Sequence, residues 1–263
     1  MPDKLPISVF ILARNSARTL RRALESLRDF DEVFVCDGSS SDETASIARE
    51  FGASVAVQDA RHRDAEGEIT DFSAVRNSCM AHLRNPWVFY IDSDEYVSAE
   101  CAEEMRKIIL APSAFAWWTP RIYVHQGKLV RCSTSYPNQQ MRFFHRGHVK
   151  GFIKSVHERI EVLPGERVGA LTHPILVPLG DVAGVRRRMA HYLRIESEGL
   201  RSVSRIKILK KMLHTLRASL VHVLRMPRFL FCSGKRPPLF YEYARHEYNA
   251  RLLGLLGKRL LWK

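Results

Sequence analysis

A chain of 263 residues, 46% hydrophobic and 26% charged, has ordinary globular composition, which excludes a fibrous or disordered protein and allows one large domain plus a smaller appendage. The formal net charge of +13 is unevenly held: residues 1–131 carry 16 Lys and Arg against 20 Asp and Glu, net −4, and residues 132–263 carry 25 against 8, net +17. Such asymmetry excludes a uniformly basic protein and points to a polyanion, nucleic acid or an anionic membrane surface, met by the C-terminal half alone.

Ile7 to Leu12 reads as a strand, and Asn15 or Ser16 can cap a helix whose apolar face is Leu20, Leu24 and Leu27. Val33 to Cys36 predicts a second strand, ending in Asp37-Gly38-Ser39-Ser40-Ser41-Asp42-Glu43. There Ser40 and Glu43 have capping-box spacing for a helix carrying Ile47 and Phe51 and stopped by Gly52. Ala53 to Val57 is the next strand. A polar loop through Asp71 and a helix from Ser73 to Leu83 lead to Trp87-Val88-Phe89-Tyr90-Ile91, the nearly continuous apolar run of a buried parallel strand. Alternation of strand and helix over the first 110 residues predicts an α/β fold, Rossmann-like, with a mostly parallel sheet, flanking helices and ligands at the strands' C-terminal edge.

From Phe115 to about Ile160 short extended pieces follow, with turns at Gly127-Lys128 and Arg146-Gly147. From about Asp181 the chain turns helical and basic. Ile206, Leu209, Leu213, Leu216, Leu220 and Leu224 recur at steps of three and four among Arg201, Arg205, Lys207, Lys210, Lys211, Arg217, Arg225 and Arg228, with no acid between Glu198 and Glu242. Such a helix either packs its stripe on the main domain or lies in a lipid headgroup plane, or does both. The expected division is therefore 1–180 for the sheet domain and 181–263 for a basic helical region.

Five cysteines, odd in number and without a C-x-x-C pair, argue against a disulfide framework and fit a reducing cytoplasm. The apolar core within Met1 to Arg14 is too short for a signal peptide, and no run of about 18 apolar residues predicts a bilayer-spanning helix.

The sharpest chemical feature is Asp92-Ser93-Asp94-Glu95 directly after the buried strand. Three carboxylates in four residues repel one another unless a cation or hydrogen-bond donors compensate them. A hard divalent ion, Mg²⁺ or Mn²⁺, does so and can also take phosphate oxygens of a nucleotide diphosphate; the competing reading is a solvated acidic turn before a helix capped at Ser98. Asp37, at the end of the second strand, can accept from a base or a ribose while Ser39 supplies a donor, or it can close an Asx turn. Ala13-Arg14-Asn15 ends the first strand at the same edge. Arg76, beside Asn77, can reach a phosphate or hold Asp92.

The segments Ile7 to Asn15, Val35 to Thr44, Ala74-Val75-Arg76-Asn77 and Ile91 to Glu95, in this order, resemble the family 2 glycosyltransferases over roughly residues 5 to 180. The resemblance implies the GT-A fold, a nucleoside-diphosphate sugar donor, a divalent metal and inversion at the anomeric carbon, with the base bound at Asp37 and the metal at Asp94, aided by Asp92. Ala13, Arg14, Asn15, Ser39, Arg76 and Ser93 would then line the donor. Gln140-Met141-Arg142-Phe143-Phe144, Val156-His157-Glu158 and Leu171-Thr172-His173 resemble the branch of lipopolysaccharide-core glucosyltransferases, implying UDP-hexose and a saccharide or lipid-linked acceptor. Gln139 to Phe143 half resembles the Gln-x-x-Arg-Trp element of processive synthases but lacks its Trp, so addition of a single sugar is expected.

Inverting transfer needs a general base. Glu158 is the candidate, with His157 next; the alternative is that Glu158 pairs with Arg159 or Lys154. Arg142 would assist departure of the diphosphate, and His173 would complete the metal shell or serve a structural role. The expected partners are thus the donor, the acceptor and an anionic membrane surface, with no nucleic acid. A non-catalytic nucleotide-sugar binder and a nucleic-acid-binding protein using the basic tail are the rival readings.

Overall fold

The computed structural model describes residues 4–136, 138–200, 203–232 and 235–261; Arg201 of the basic tail lies outside them. The chain divides into two compact units, Met1–Ile122 with Pro137–Pro178, and Tyr123–Tyr136 with Leu179–Lys263.

In the first unit β1 (Leu5–Ala13) is followed by α1 (Ala17–Glu25), β2 (Phe30–Asp37), α2 (Thr44–Glu50) and β3 (Ser54–Val57). Then come α3 (Phe72–Met80), β4 (Trp87–Asp92), β5 (Tyr96–Val97) and α4 (Ala99–Leu110). β1 pairs parallel with both β2 and β4, and β2 with β3, so the order β3-β2-β1-β4 makes the parallel core of the sheet. Because side chains alternate across a strand, burial on both faces requires near-continuous apolar runs. Val9, Phe10, Ile11, Val88, Phe89 and Ile91 are all fully buried. One face gathers Phe10, Phe34, Val88 and Tyr90 against Val75, Cys79 and Leu83 of the α3 region, and Phe89 stacks with Phe30, ring centroids 6.1 Å apart.

The sheet continues through β6 (Ala116–His125), β8 (Asn138–His145) and β12 (Ile175–Pro178), with β8 antiparallel to β4. β9 (Val149–Ile153) and β10 (Arg159–Val162) form a separate hairpin, and β11 (Val168–Ala170) pairs with β6.

Local chemistry explains the helix starts. Asp71 Oδ1 accepts from Ala74 N at 3.0 Å and Ser98 Oγ from Cys101 N at 3.2 Å, capping α3 and α4. The capping box expected of Ser40 and Glu43 does not form. Asp42 takes its place, accepting from Thr44 N at 2.9 Å and Ala17 N at 3.1 Å, while Ser40 turns back to Asp37.

The second unit holds β7 (Lys128–Val130), paired with the last residues of β6, and the helices α5 (Val182–Gly199), α6 (Arg205–Arg225), α7 (Arg228–Phe231) and α8 (Leu239–Leu261). Asp181 caps α5 through Gly184 N at 2.6 Å. Leu193, Leu200, Ile208, Leu252 and Leu256 form its core. Glu242 is buried there and accepts from Ser133 Oγ at 2.9 Å, Thr134 N at 3.1 Å and the Thr134 hydroxyl. Cys132 and Cys232 form a disulfide, Cα atoms 6.1 Å apart, where the cysteine pattern had argued against a disulfide framework. Of five cysteines three stay reduced and buried, Cys36, Cys79 and Cys101, and a pair 100 residues apart leaves no local spacing to read. Among the described residues no helix is long and apolar enough to cross a membrane.

Truncating the sheet's central ring tests the packing. Phe89→Ala is expected to cost about 3–5 kcal/mol, read as a lowered urea midpoint with an unchanged slope.

Candidate active site

The parallel strands end on one rim. Register sets Ala13 beside Asp37 and Leu12 beside Asp92, so the acidic and small residues line the carboxyl edge of β1, β2 and β4. The chain winds from β1 outward to β3 on one side and returns to β4 on the other. The gap between β1 and β4 is thus a topological switch point, the place where open α/β sheets bind ligands. Across it Ser16 Oγ and Ser93 Oγ meet at 2.9 Å.

Asp92 is held by three guanidinium groups from three elements: Arg76 of α3 at 3.1 Å from Oδ1, and Arg142 of β8 and Arg121 of β6 at 3.2 and 3.9 Å from Oδ2. Arg142 and Arg121 also bind Glu95, which is wholly buried and accepts from Asp92 N at 3.0 Å. Arg76 continues to Glu158, its Nε 2.8 Å from Oε1. The result is a chain of alternating charge, Glu158, Arg76, Asp92, Arg142, Glu95 and Arg121, three cations against three anions. Arg76 and Arg142 are almost fully buried, and both guanidinium groups lie over the Tyr90 ring, at 4.6 and 4.5 Å from its centroid. Arg76 Nη1 is buried with no hydrogen-bond partner, and the rings of Phe10 and Phe152 also lie within 6.0 Å of this guanidinium.

The electrostatic consequence falls on Asp92. Partial burial opposes its charge, but Arg142, Arg76 and Arg121 outweigh that and hold the carboxyl far below the usual carboxylate range. Burial pushes the Tyr90 phenol up despite the same two arginines. The repulsion read in the sequence at residues 92–95 is therefore relieved by arginines. Asp94, half-buried at the same strand end, adds one further negative charge.

The remaining predicted residues divide. Asp37 is buried and accepts from Ser40 N at 3.0 Å and Ser40 Oγ at 2.5 Å, a side-chain bond three residues on that closes the rim loop after β2. These two bonds use half the acceptor capacity of an ionised carboxylate. Asn15 and Ser39 both adopt positive φ, 48° and 55°, and Asn15 Oδ1 accepts from Ser41 N at 2.9 Å, fastening the first rim loop to the second. Arg14 reaches Glu68 at 2.7 Å and the Glu66 carbonyl at 2.6 Å, and Arg63 reaches the Gly38 carbonyl at 2.6 Å and Ser39 Oγ at 3.1 Å. Together they latch the loop before α3 onto the rim. Gly67, at φ +77°, sits where a Cβ would meet both guanidinium groups within 2.8 Å, so this turn requires glycine.

His157 is exposed with φ 52°, and Lys154 is exposed as well. Glu158 pairs with Arg76, neither with Lys154 nor with Arg159. Arg142, expected beside the leaving diphosphate, is spent on Asp92, Glu95 and Gln140. His173 is not brought to the acidic rim. β12 runs antiparallel to β5 with Ile175 opposite Val97, which carries His173 away from Asp94 toward α4, where Glu104 accepts from its backbone N at 2.9 Å and contacts Nδ1 at 2.8 Å. Among the described residues no three His, Cys, Asp or Glu side chains gather as a metal-holding group. Magnesium sites commonly use only one or two carboxylates plus substrate phosphates.

Sequence reasoning missed Arg121 and the anchoring part of Glu95. Both depend on β6 and β8 folding back beside β4, which no local spacing reveals.

This rim and sheet order define the GT-A class of α/β fold. A mannosyltransferase from Pyrobaculum calidifontis, solved with GDP-Man and Mn²⁺, shares the fold at a TM-score of 0.50 over 98% of this chain and 88% of its own, at 16% identity. Residues 8–163 match the family described as Glycosyl transferase family 2, and the chain belongs to that family. An uncharacterized glycosyltransferase of Rickettsia felis is 35% identical over 39% of this chain and 33% of its own length. A TPR repeat-containing protein of Synechococcus elongatus is 30% identical over 59% of this chain and 35% of its own. The matched segments thus span about a third of the curated relatives.

The pairing makes a sign-definite prediction. A carboxyl with depressed pKa contributes stability that is fully present above its ordinary value of 3.8 and is lost as pH falls below it. The melting-temperature gap between the native chain and Asp92→Asn should hold constant from about pH 7 to 5 and narrow below about pH 4.

Proposed function

We propose that the chain is an inverting glycosyltransferase moving a single sugar, a hexose carried on UDP, from its nucleotide to a saccharide or lipid-linked acceptor, in lipopolysaccharide core or other envelope glycan synthesis. The observation that supports this reading is the register that sets Asp37 and Asp92 at the ends of β2 and β4 on either side of β1, with Arg76 joining Asp92 to Glu158. UDP-hexose and the core acceptor rest on the resemblance of residues 140–144, 156–158 and 171–173. The basic C-terminal half supports a place at the inner face of the cytoplasmic membrane, whose anionic leaflet attracts cations; the Cys132–Cys232 bond lends no support to a reducing compartment.

In this reading Asp37 accepts from the base, the Asn15 and Ser39 loops flank the nucleotide, and Asp94 holds Mg²⁺ or Mn²⁺, which supplies positive charge for the departing diphosphate. Arg76, Arg121 and Arg142 are positioning residues. They fix Asp92 and, through Arg76, one oxygen of Glu158. Its other oxygen, Oε2, takes the proton from the acceptor hydroxyl. That hydroxyl oxygen bonds to the anomeric carbon as the carbon's bond to the diphosphate breaks on the opposite face, leaving an inverted glycoside, nucleoside diphosphate and protonated Glu158.

Glu158→Gln should lower kcat about 10²–10⁴-fold with the donor KM unchanged, measured by nucleotide release with acceptor present. His157→Asn should change it little; the reverse pattern reassigns the base. Asp94→Ala should abolish Mn²⁺-dependent donor hydrolysis while melting normally. In a thermal-shift panel with Mn²⁺, one sugar nucleotide should raise the melting temperature of the native chain, and a panel in which none does removes the donor assignment.

A further inference from the structure

α6 packs with the wrong face for an ordinary amphipathic helix. Its buried side is Ile208 and Thr215, with Met212 and Ser219 beside them; Ile208 and Met212 meet the core of Leu252 and Leu256, and Ser219 accepts from Asn249 of α8 at 3.0 Å. The six-residue stripe legible in the sequence, Ile206, Leu209, Leu213, Leu216, Leu220 and Leu224, is between 49% and 70% exposed. At 100° per residue the stripe is centred roughly 120° around the helix from the buried side. Lys207, Lys210, His214 and Arg217 fall along the stripe's far border, while Arg225, on the same side, donates to the Thr134 carbonyl at 3.1 Å. A soluble helix keeps its large aliphatic residues inward. Here an aliphatic band faces out, flanked by cations.

We propose that this band is the element that seats the protein on a bilayer of anionic lipid, with α6 in the headgroup plane, its leucines in the acyl boundary and its basic border against lipid phosphates. The proposal deepens the membrane placement given above and names the surface responsible. Charge selects the occupant. Residues 199–241 hold ten Lys and Arg and no Asp or Glu, so a second copy docked on the same band would set like charges against each other. A nucleic acid would use the cations and leave the leucines in water. Phe231 and Leu239, exposed at 87% and 80%, add apolar side chains to the same acid-free stretch. No described helix can span the bilayer, so the contact is with its surface.

Flotation of the full chain with phosphatidylcholine vesicles, with and without about one-third phosphatidylglycerol, tests this. The native chain should float with the anionic vesicles and at least tenfold less with neutral ones. Leu213→Gln/Leu220→Gln should lose binding tenfold or more with unchanged melting, since both positions are exposed. Lys210→Gln/Arg217→Gln should weaken it roughly 25-fold, about fivefold per cation. Absence of anionic-vesicle binding, or equal binding by the leucine variant, overturns the proposal. So does a dimer, seen by light scattering, that the leucine variant dissolves, or salt-sensitive DNA binding with no vesicle binding. Donor hydrolysis measured in parallel without vesicles separates this outcome from the fate of the transfer reading.

Discussion

The arrangement of the rim depends on one constraint: a carboxylate at the end of a buried strand cannot stay ionised without compensation. Asp92, Glu95 and Glu158 are matched by Arg76, Arg121 and Arg142, and the six groups come from α3, from the end of β4 and the turn after it, from β6, β8 and the loop before β10. Burying such charges costs several kcal/mol per ion, and mutual attraction offsets that only where geometry is good and donors are satisfied. The cluster is therefore weak evidence for net stability and strong evidence for position. It fixes the turn after β4, and with it Ser93 and Asp94, relative to strands that arrive late in the chain.

The same network separates holding from reacting. Arg142 and Asp92 have the residue types of a phosphate clamp and a metal ligand, yet each is engaged by the other. Arg76 acts in two directions, fixing Asp92 through Nη2 and Glu158 through Nε, so the acidic strand end and the loop bearing the proposed base share one guanidinium. A lysine, with a single point charge, could not span both carboxylates. In the proposed transfer, preorganisation of this kind would reduce the reorganisation needed as charge develops.

The parallel half of the sheet was legible because its signals are local. Ile7 to Leu12 and Trp87 to Ile91 are apolar runs bounded by turn residues, and alternation with helices dictated the rim. Ser40 shows where local reading stops: its spacing to Glu43 satisfied a capping rule, but Asp42 supplied a nearer acceptor and Asp37 claimed the hydroxyl. The Arg121–Glu95 and His173–Glu104 contacts join side chains 26 and 69 residues apart, and no periodicity encodes such a partner. Cys132 and Cys232 were hidden for the same reason.

The opposite fate of two leucine-rich patterns extends the point. Leu20 and Leu24 of α1 and Leu27 in the turn after it are buried, while the longer stripe of α6, with the same spacing, is exposed. Periodicity reports that a helix has an apolar side; it does not say which medium that side meets. What distinguishes the two is the company of the stripe. The α1 stripe sits in a half of the chain whose charge is net −4 and beside a parallel sheet with faces to cover. The α6 stripe sits in a stretch with ten cations and no acid, alongside a second, less aliphatic face already committed to α8. A sequence that carries two candidate faces on one helix specifies two contacts, and only the one with α8 is made within the described chain.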